Sequence, residues 1–387
     1  MRVGDLFCGC GGMGLGLTEA GMEVAFSADN WDPALDSYEA NMGHRPMKAD
    51  LTDISDAAFR LRRAKVDLIA GGPPCQEFSS ANIKYFAGDR REGHRADLTV
   101  DFAEIIRAVE PKWFIYENVP EVGGSKAFEA AHSLLSGAGY GICEVVLNAA
   151  YHGVPQLRKR FFAIGCLGED DGFLEDALLE RETDEPLTVR QYLGDELGTE
   201  FYYRHPRTWD RRAIYSIDEP AATIRSTNRP IPANYKHHPQ NAATKDKARP
   251  LTAAERGRLQ TFPRGSTFCG YNTDKDLMVA NAVPVLLARH LGRVILRHEE
   301  EARMTGVPKD FEEWLSDRRQ LTPRSAGNVA SRLRRVQRML GRSIESADHR
   351  DVVHELSKRP EFQDLTVSVR SQLKRAVQLH AEFLVRE

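Results

Sequence analysis

Residues 71–79 read Gly-Gly-Pro-Pro-Cys-Gln-Glu-Phe-Ser and set a thiol, Cys75, on a tight turn. Gly71 and Gly72 remove side chains where another molecule could come close. Pro73 and Pro74 fix the backbone and rule out helix just before the sulfur. The preceding Val66–Ala70 has the composition of a short buried strand. A nucleophile on a rigid loop at the carboxyl end of a strand is where open α/β sheets place their chemistry.

A second group lies near the amino terminus. Gly9, Gly11 and Gly14 fit G-x-G-x-x-G after a strand and before a helix, and Asp29 ends the next strand. Such glycines let a nucleotide-like ligand approach the backbone, and the acid can accept hydrogen bonds from a ribose. The fingerprint fits a nicotinamide-dependent dehydrogenase and an S-adenosylmethionine methyltransferase equally. Two details favour the methyltransferase: Phe7 stands at the strand end, where its ring could lie against an adenine, and Asp50 ends a third strand, where it could accept from the adenine amino group.

The elements that must position these residues alternate. Strands are expected at Val3–Phe7, Glu23–Ala28, Val66–Ala70, Lys112–Tyr116, Ile142–Leu147 and Arg160–Ile164. Helices are expected at Met13–Ala20, Pro33–Asn41, Leu98–Val109 and Phe128–Ser136. This alternation predicts a mostly parallel sheet covered on both faces. From 166 to about 265 the helical periodicity is lost, which predicts a loop-rich region with short strands. Helical spacing returns at Val285–Arg297, and again at Phe311–Leu315, Ser325–Leu340, His349–Leu356 and Ser368–Leu384.

The chain of 387 residues is 41% hydrophobic, enough for two or three domains with full cores. No run of 18 apolar residues and no secretory leader stands out, so a cytoplasmic protein is expected. Six scattered cysteines make no disulfide framework. Cys8 and Cys10 are one residue apart, too close for a zinc pair, so no metal is expected. The net charge is only -3, but its distribution is uneven: Glu169–Glu185 holds nine acids and one arginine, whereas Phe201–Gln260 holds twelve Lys/Arg against five acids. A local basic segment can track phosphates while the whole chain stays near neutral.

Taken in order, the chain resembles the cytosine-5 DNA methyltransferases. The motifs that carry the resemblance are Asp5-Leu6-Phe7-Cys8-Gly9-Cys10-Gly11-Gly12, Pro73-Pro74-Cys75-Gln76, Glu117-Asn118-Val119 and Gln156-Leu157-Arg158-Lys159-Arg160. Arg249-Pro250-Leu251-Thr252, Arg258-Leu259-Gln260-Thr261-Phe262-Pro263 and Asn281-Ala282-Val283-Pro284 follow. The resemblance covers about residues 1–298. One departure is visible: Ala280 and Met278 stand where the family usually has Gly and Gln.

The resemblance implies an α/β fold: a Rossmann-like methyltransferase domain with a mixed, mostly parallel sheet (1–165 plus 269–298), a loop-rich target-recognition domain (166–268) and a small all-α carboxyl-terminal domain (308–387). It implies Cys75 as nucleophile, Glu117 as the acid at cytosine N3, and Arg158 and Arg160 as holders of the flipped base and the glutamate. The cofactor would be S-adenosylmethionine, held by Phe7, Gly9, Gly11, Asp29, Asn30, Asp50, Pro73, Asn281 and Val283. Asn118 is expected to order the loop. Arg225, Thr227, Asn228 and Arg229 are the candidates for DNA contact. The expected partner is double-stranded DNA, with a restriction endonuclease or another defence component as a further one. A transfer-RNA substrate is the alternative within the family. The carboxyl-terminal segment also resembles the helical core-binding domain of tyrosine recombinases, in Phe311-Glu312-Glu313-Trp314-Leu315, Arg332-Leu333-Arg334-Arg335 and Gln378–Leu384.

Overall fold

The computed structural model describes residues 1–74, 98–208, 210–304, 307–345, 348–363, 365 and 367–386. Cys75 and the rest of 75–97 lie outside the described residues. The strands run β1 (Arg2–Leu6), β2 (Glu23–Asp29), β3 (Met47–Lys48), β4 (Leu68–Gly71), β5 (Trp113–Asn118), β6 (Tyr140–Asn148), β7 (Gln156–Leu157), β8 (Lys159–Leu167), β9 (Phe201–Tyr203), β10 (Ile214–Ser216), β11 (Ala221–Ala222) and β12 (Ala248–Pro250). The helices are α1 (Gly12–Glu19), α2 (Asp32–Met42), α3 (Ile54–Ala64), α4 (Leu98–Val109), α5 (Lys126–Ala138), α6 (Glu175–Leu179), α7 (Val189–Leu193), α8 (Ala253–Leu259), α9 (Asn272–Asn281) and α10 (Val285–Met304). They continue as α11 (Lys309–Arg319), α12 (Pro323–Leu340), α13 (His349–Leu356), α14 (Pro360–Gln363) and α15 (Val367–Leu384).

Seven strands form one sheet in the order β3-β2-β1-β4-β5-β8-β6. The pairs β1–β2, β1–β4, β2–β3 and β4–β5 are parallel. Every residue of β4 and β5 is buried. Continuous burial, rather than alternation, is what a parallel sheet sandwiched between helices requires. The chain leaves β1 toward β2 on one side and returns through β4 on the other. The strand order therefore reverses between β1 and β4, and ligands bind at such a point, beyond the carboxyl ends.

Helix α3 had no counterpart in the apolar pattern, because its buried face is only Ala57, Ala58 and Leu61. Its start is legible locally: the Asp53 side chain accepts from the Asp56 amide and caps the first turn. In the region expected to be only loops and short strands, α7 and α8 each open on a capping box, Thr188 with Gln191 and Thr252 with Glu255. The T-x-x-Q and T-x-x-E spacings carried that signal.

One compact unit comprises Met1–Leu134, Glu144–Ile164 and Asp176–Arg293; the other comprises Leu135–Cys143, Gly165–Glu175 and Val294–Glu387. Val189, Tyr202, Tyr215 and Ile224 share one apolar cluster with Cys10, Phe262, Val279 and Val285. Against the expectation that no span stands out, Asn272–Ala302 is long and apolar enough by composition to cross a membrane, and 67% of that window is buried inside the structure.

In the second unit, helices α11–α15 enclose Phe311, Leu315, Leu333, Leu356, Leu373 and Phe383. Segment 165–175 joins this unit through a buried carboxylate. His298 Nε2 lies 3.3 Å from Glu169 Oε1, and the Ser331 hydroxyl donates to Glu169 Oε2. Burial alone would raise the Glu169 pKa, but the His298 contact, the Ser331 hydroxyl and the Arg338 charge outweigh it and hold the carboxyl at about 2. A depressed carboxyl stabilises the fold above its unfolded value and loses that contribution as pH falls through its folded value. Glu169→Gln should therefore cost about 3 kcal/mol at neutral pH. In thermal unfolding, the gap from wild type should narrow as pH falls from the ordinary 4.5 toward about 2.

Candidate active site

Strand register sets four sequence-predicted positions side by side at the carboxyl edge. Leu6 pairs with Ala28 on one side and Gly71 on the other, and Gly71 pairs with Tyr116. The next residue of each strand is thus Asp29, Phe7, Gly72 and Glu117, a row across the switch point.

The amino-terminal half of this row is a ligand cradle. Phe7 leaves β1 at φ 52°, a left-handed value rare for a residue with a Cβ, and Gly9 and Gly11 follow at 54° and 93°. Such strain persists where the surroundings fix it and clusters at binding sites. A Cβ on Gly9 would meet nothing within 4 Å, so this glycine opens the loop to a ligand. Gly12 and Gly14 serve packing instead: a Cβ would stand 2.2 Å from the Val283 carbonyl at the first and 2.7 Å from Asp5 Oδ2 at the second.

Asp29 organises this loop before any ligand does. Its Oδ2 accepts from the Gly9 amide at 2.9 Å, and its Oδ1 accepts from the amides of Asn30 and Trp31 at 2.8 and 3.0 Å. Asp50 lies two residues past β3, exposed, with Oδ1 accepting from the Thr52 amide and hydroxyl. Asn281 is exposed at the end of α9, and buried Val283 packs on Gly12. Half-buried Phe7, open Gly9 and the carboxylates of Asp29 and Asp50 fit a nucleoside with an aromatic face and hydroxyl and amino donors. Burial pushes the Cys8 and Cys10 thiols up, Cys10 to about 12, so neither supplies a thiolate.

The other half of the row centres on Glu117. Arg160 Nε lies 2.9 Å from Glu117 Oε1, with both side chains largely buried. The N–H does not aim at the oxygen, and Oε1 has no hydrogen-bond donor among the described residues. Burial raises the carboxyl's pKa above its ordinary value despite the opposing charges of Arg160 and Arg158. The site thus holds a buried carboxyl beside a guanidinium, biased toward its protonated form.

Arg158 does a different job from Arg160. It is fully buried, and its Nη2 donates to the Ala280 and Ala282 carbonyls at 2.8 and 3.1 Å. It thereby fixes the turn that carries Asn281. Burial and the Arg160 charge push its pKa down, yet a guanidinium keeps its proton. Its Nε and Nη1 have no acceptor among the described residues. Ala280, where the family usually has Gly, is helical and not at positive φ, so a Cβ is accommodated.

Asn118 anchors the entry to the thiol loop. Its Nδ2 donates to the Pro73 carbonyl at 3.0 Å and to the Tyr116 hydroxyl at 3.1 Å. Gly72 is needed because a Cβ there would stand 2.8 Å from Glu117 Oε2. Gly72→Ala is expected to cut turnover about 100-fold by displacing the carboxyl, with thermal stability little changed; single-turnover rates and melting curves check both.

The four candidates for DNA contact divide. The Arg225 guanidinium donates to the His205 carbonyl, and Asn228 Nδ2 donates to the Leu251 carbonyl and Asp276 Oδ1. These two side chains are committed to internal structure, while Thr227 and Arg229 are exposed. Sequence reasoning gave no role to buried Gln156 and Gln260. Gln156 Nε2 donates to Gln260 Oε1 at 2.9 Å, Gln156 Oε1 accepts from the Ile224 amide, and Gln260 Nε2 donates to the Val279 carbonyl. These amides tie β7, just before Arg158, to Ile224 and to α9. Two glutamines at apolar-flanked positions were the available signal.

The family model for C-5 cytosine-specific DNA methylase matches residues 1–297. The chain belongs to this family. As a C-5 cytosine-specific DNA methylase it is an enzyme that methylates cytosine C5 in DNA, and methyl transfer in the family implies S-adenosylmethionine as donor. The dehydrogenase reading of the glycines is thereby set aside. The methylase is 46% identical over 305 residues to Type II methyltransferase M.HgiDI of Herpetosiphon aurantiacus, an alignment covering 79% of this chain and 97% of that one. It is 44% identical over 303 residues to Type II methyltransferase M.HindV of Haemophilus influenzae, covering 78% and 98%. Among solved structures, S. pombe Dnmt2 methyltransferase aligns with a TM-score of 0.57 at 17% identity, covering 77% of this chain and 99% of that one. Entamoeba histolytica methyltransferase EhMeth aligns at 0.51 and 13% identity, covering 77% and 98%. These structural likenesses speak to the fold alone. Among the described residues, no group of three or more His, Cys, Asp or Glu side chains could hold a metal ion.

Proposed function

We propose that the methylase acts through a covalent adduct between Cys75 and cytosine C6 in double-stranded DNA, on a base extruded from the helix. The observation that carries this reading is the buried Glu117–Arg160 pair beside Gly72, three residues before the thiol. Cytosine C5 is a poor nucleophile. Attack of the Cys75 thiolate on C6 breaks the C5–C6 double bond, and the electron pair moves through the ring toward N3. A protonated Glu117 donates to N3 and relieves that charge. The resulting enamine is nucleophilic at C5. Bound S-adenosylmethionine supplies the methyl group at that carbon. S-adenosylhomocysteine is left behind; loss of the C5 proton to a base such as water, with return of the N3 proton to Glu117, then restores the C5–C6 double bond as the thiolate leaves.

Phe7, Gly9, Gly11, Asp29, Asn30, Asp50, Pro73, Asn281 and Val283 would hold the donor, with Asp29 and Asp50 accepting from its hydroxyl and amino groups. Arg160 keeps Glu117 in place. Arg158 keeps the Asn281 turn in place, and its Nε and Nη1 have no acceptor among the described residues. The target atoms lie inside a stacked duplex, so extrusion is required. Residues 166–268 would read the target, with exposed Thr227 and Arg229 available for contact. The names of the relatives support a place in a restriction-modification system, with an endonuclease of the same specificity as partner, acting on DNA in the cytoplasm.

Incubation with methyl-labelled S-adenosylmethionine tests the reading, on mixed-sequence duplex DNA and on transfer RNA. Label at C5 of cytosine in the duplex is expected. Label confined to the transfer RNA would refute the DNA assignment, and bisulfite sequencing of DNA from expressing cells would give the target.

A further inference from the structure

We propose that a cationic groove between α13 and α15 binds the phosphate backbone of duplex DNA. It would give the enzyme a second, sequence-independent hold on its substrate. The inference rests on the protein acting on DNA. The groove lies wholly outside residues 1–297, the segment that matches the family.

The groove follows from helical periodicity. His349, Arg350 and His354 project from one face of α13, and Lys374, Arg375 and Gln378 from one face of α15. The opposite faces bury Val352 and Leu356 of α13 and Leu373, Ala376 and Val377 of α15, which fixes the two helices against the unit's core. The resulting cavity has a volume of about 590 Å³, and no described carboxylate lines it.

Its charge is only partly consumed internally, unlike that of the neighbouring helix. In α12, Arg332 and Arg335 pair with Asp170, and Arg334 pairs with Glu312. The carboxylate Glu355 on α13 faces Arg342 and Arg359. By contrast, Arg350 and Lys374 have no ion pair among the described residues, and both are exposed. Lys374 Nζ lies over the Phe362 ring, 5.7 Å from its centroid, and Arg375 stands 4.0 Å from Glu382. Arg350 and Lys374 thus bring two unpaired cations to a concave surface, beside Arg375 at the edge of its contact with Glu382 and the protonatable His349 and His354. An anion neutralises such cations. The enzyme's own substrate is a dense polyanion, and phosphate contacts from Arg and Lys position a protein without reading sequence.

The test compares the full chain with Arg350→Gln/Lys374→Gln/Arg375→Gln on a duplex extending several helical turns either side of one target cytosine. Fluorescence anisotropy over a salt series reads both affinity and salt slope. The slope of log affinity against log salt should flatten by about 0.9 for each phosphate no longer neutralised, so by roughly 2 to 3. At low salt the Kd should rise at least about 10-fold. Single variants, each flattening the slope by about 0.9, keep the test alive if the triple variant does not fold. Arg350→Lys/Arg375→Lys should restore the wild-type slope. Wild-type slope and affinity in the triple variant would overturn the proposal. So would a loss confined to binding of phosphatidylserine-containing vesicles or of transfer RNA. Methyl transfer at saturating duplex, expected unchanged in the triple variant, separates the two readings: a wild type that binds but transfers no methyl group fails the catalytic reading alone.

Discussion

Cys75→Ala should lower methyl transfer by at least about 10⁴-fold, more than 5 kcal/mol at the barrier, while leaving duplex binding within a few-fold of wild type. Without a thiolate, C6 is not attacked and C5 never gains enamine character. Of the other described cysteines, Cys8, Cys10, Cys143 and Cys166 are buried and Cys269 is partly exposed. Burial also pushes the Cys10 and Cys143 thiols up to about 12. Cys75→Ser should be nearly as inactive, because a hydroxyl ionises far less readily than a thiol. Single-turnover transfer of labelled methyl groups, run beside a binding isotherm, separates the chemical step from substrate affinity. Residual transfer near the wild-type rate in either variant would remove Cys75 from the mechanism.

Glu117→Gln should lower kcat by about 10²- to 10⁴-fold with little change in KM. Glutamine keeps the shape and can donate a hydrogen bond to N3, but it cannot deliver a proton. The pH dependence adds a readout that a merely structural residue would not move. Burial raises the Glu117 pKa, and Arg160 and Arg158 lower it. A reaction that needs the protonated carboxyl slows as pH rises through that pKa. Arg160→Gln removes the nearest opposing charge, so the descending limb should shift to higher pH even as the maximal rate falls. In Glu117→Gln this limb should vanish. Rates measured across pH at saturating DNA decide the matter; an Arg160→Gln profile displaced to lower pH would contradict the assignment.

Much of this site was legible in the sequence because its parts are short, ordered and tied to strand ends. Phe7, Asp29, Gly72 and Glu117 each follow a strand that reads as buried, and parallel pairing alone sets them in a row. What one-dimensional reading could not supply was division of labour among like residues. Gly9 and Gly14 look interchangeable in a glycine motif, yet one faces open space and the other packs on Asp5. Arg158 and Arg160 share one spacing, but only Arg160 reaches Glu117, while Arg158 turns to the carbonyls of residues far along the chain. Arg225 and Asn228 have the chemistry of DNA readers and are spent on internal carbonyls. Such outcomes depend on contacts between segments distant in sequence, which local pattern does not encode. Residues 166–268 look loop-like in sequence for the same reason: their apolar side chains join a cluster with those of α9 and α10.

The most direct test of the covalent mechanism is trapping with a duplex carrying 5-fluorocytosine at the target position. Fluorine at C5 cannot leave as a cation, so the step that expels the thiolate is blocked once the methyl group has been added. With S-adenosylmethionine present, a denaturation-resistant protein–DNA complex should form, and peptide mapping should find the base attached through the sulfur of Cys75. A duplex that is methylated normally when unmodified, yet forms no such complex when fluorinated, would contradict the mechanism.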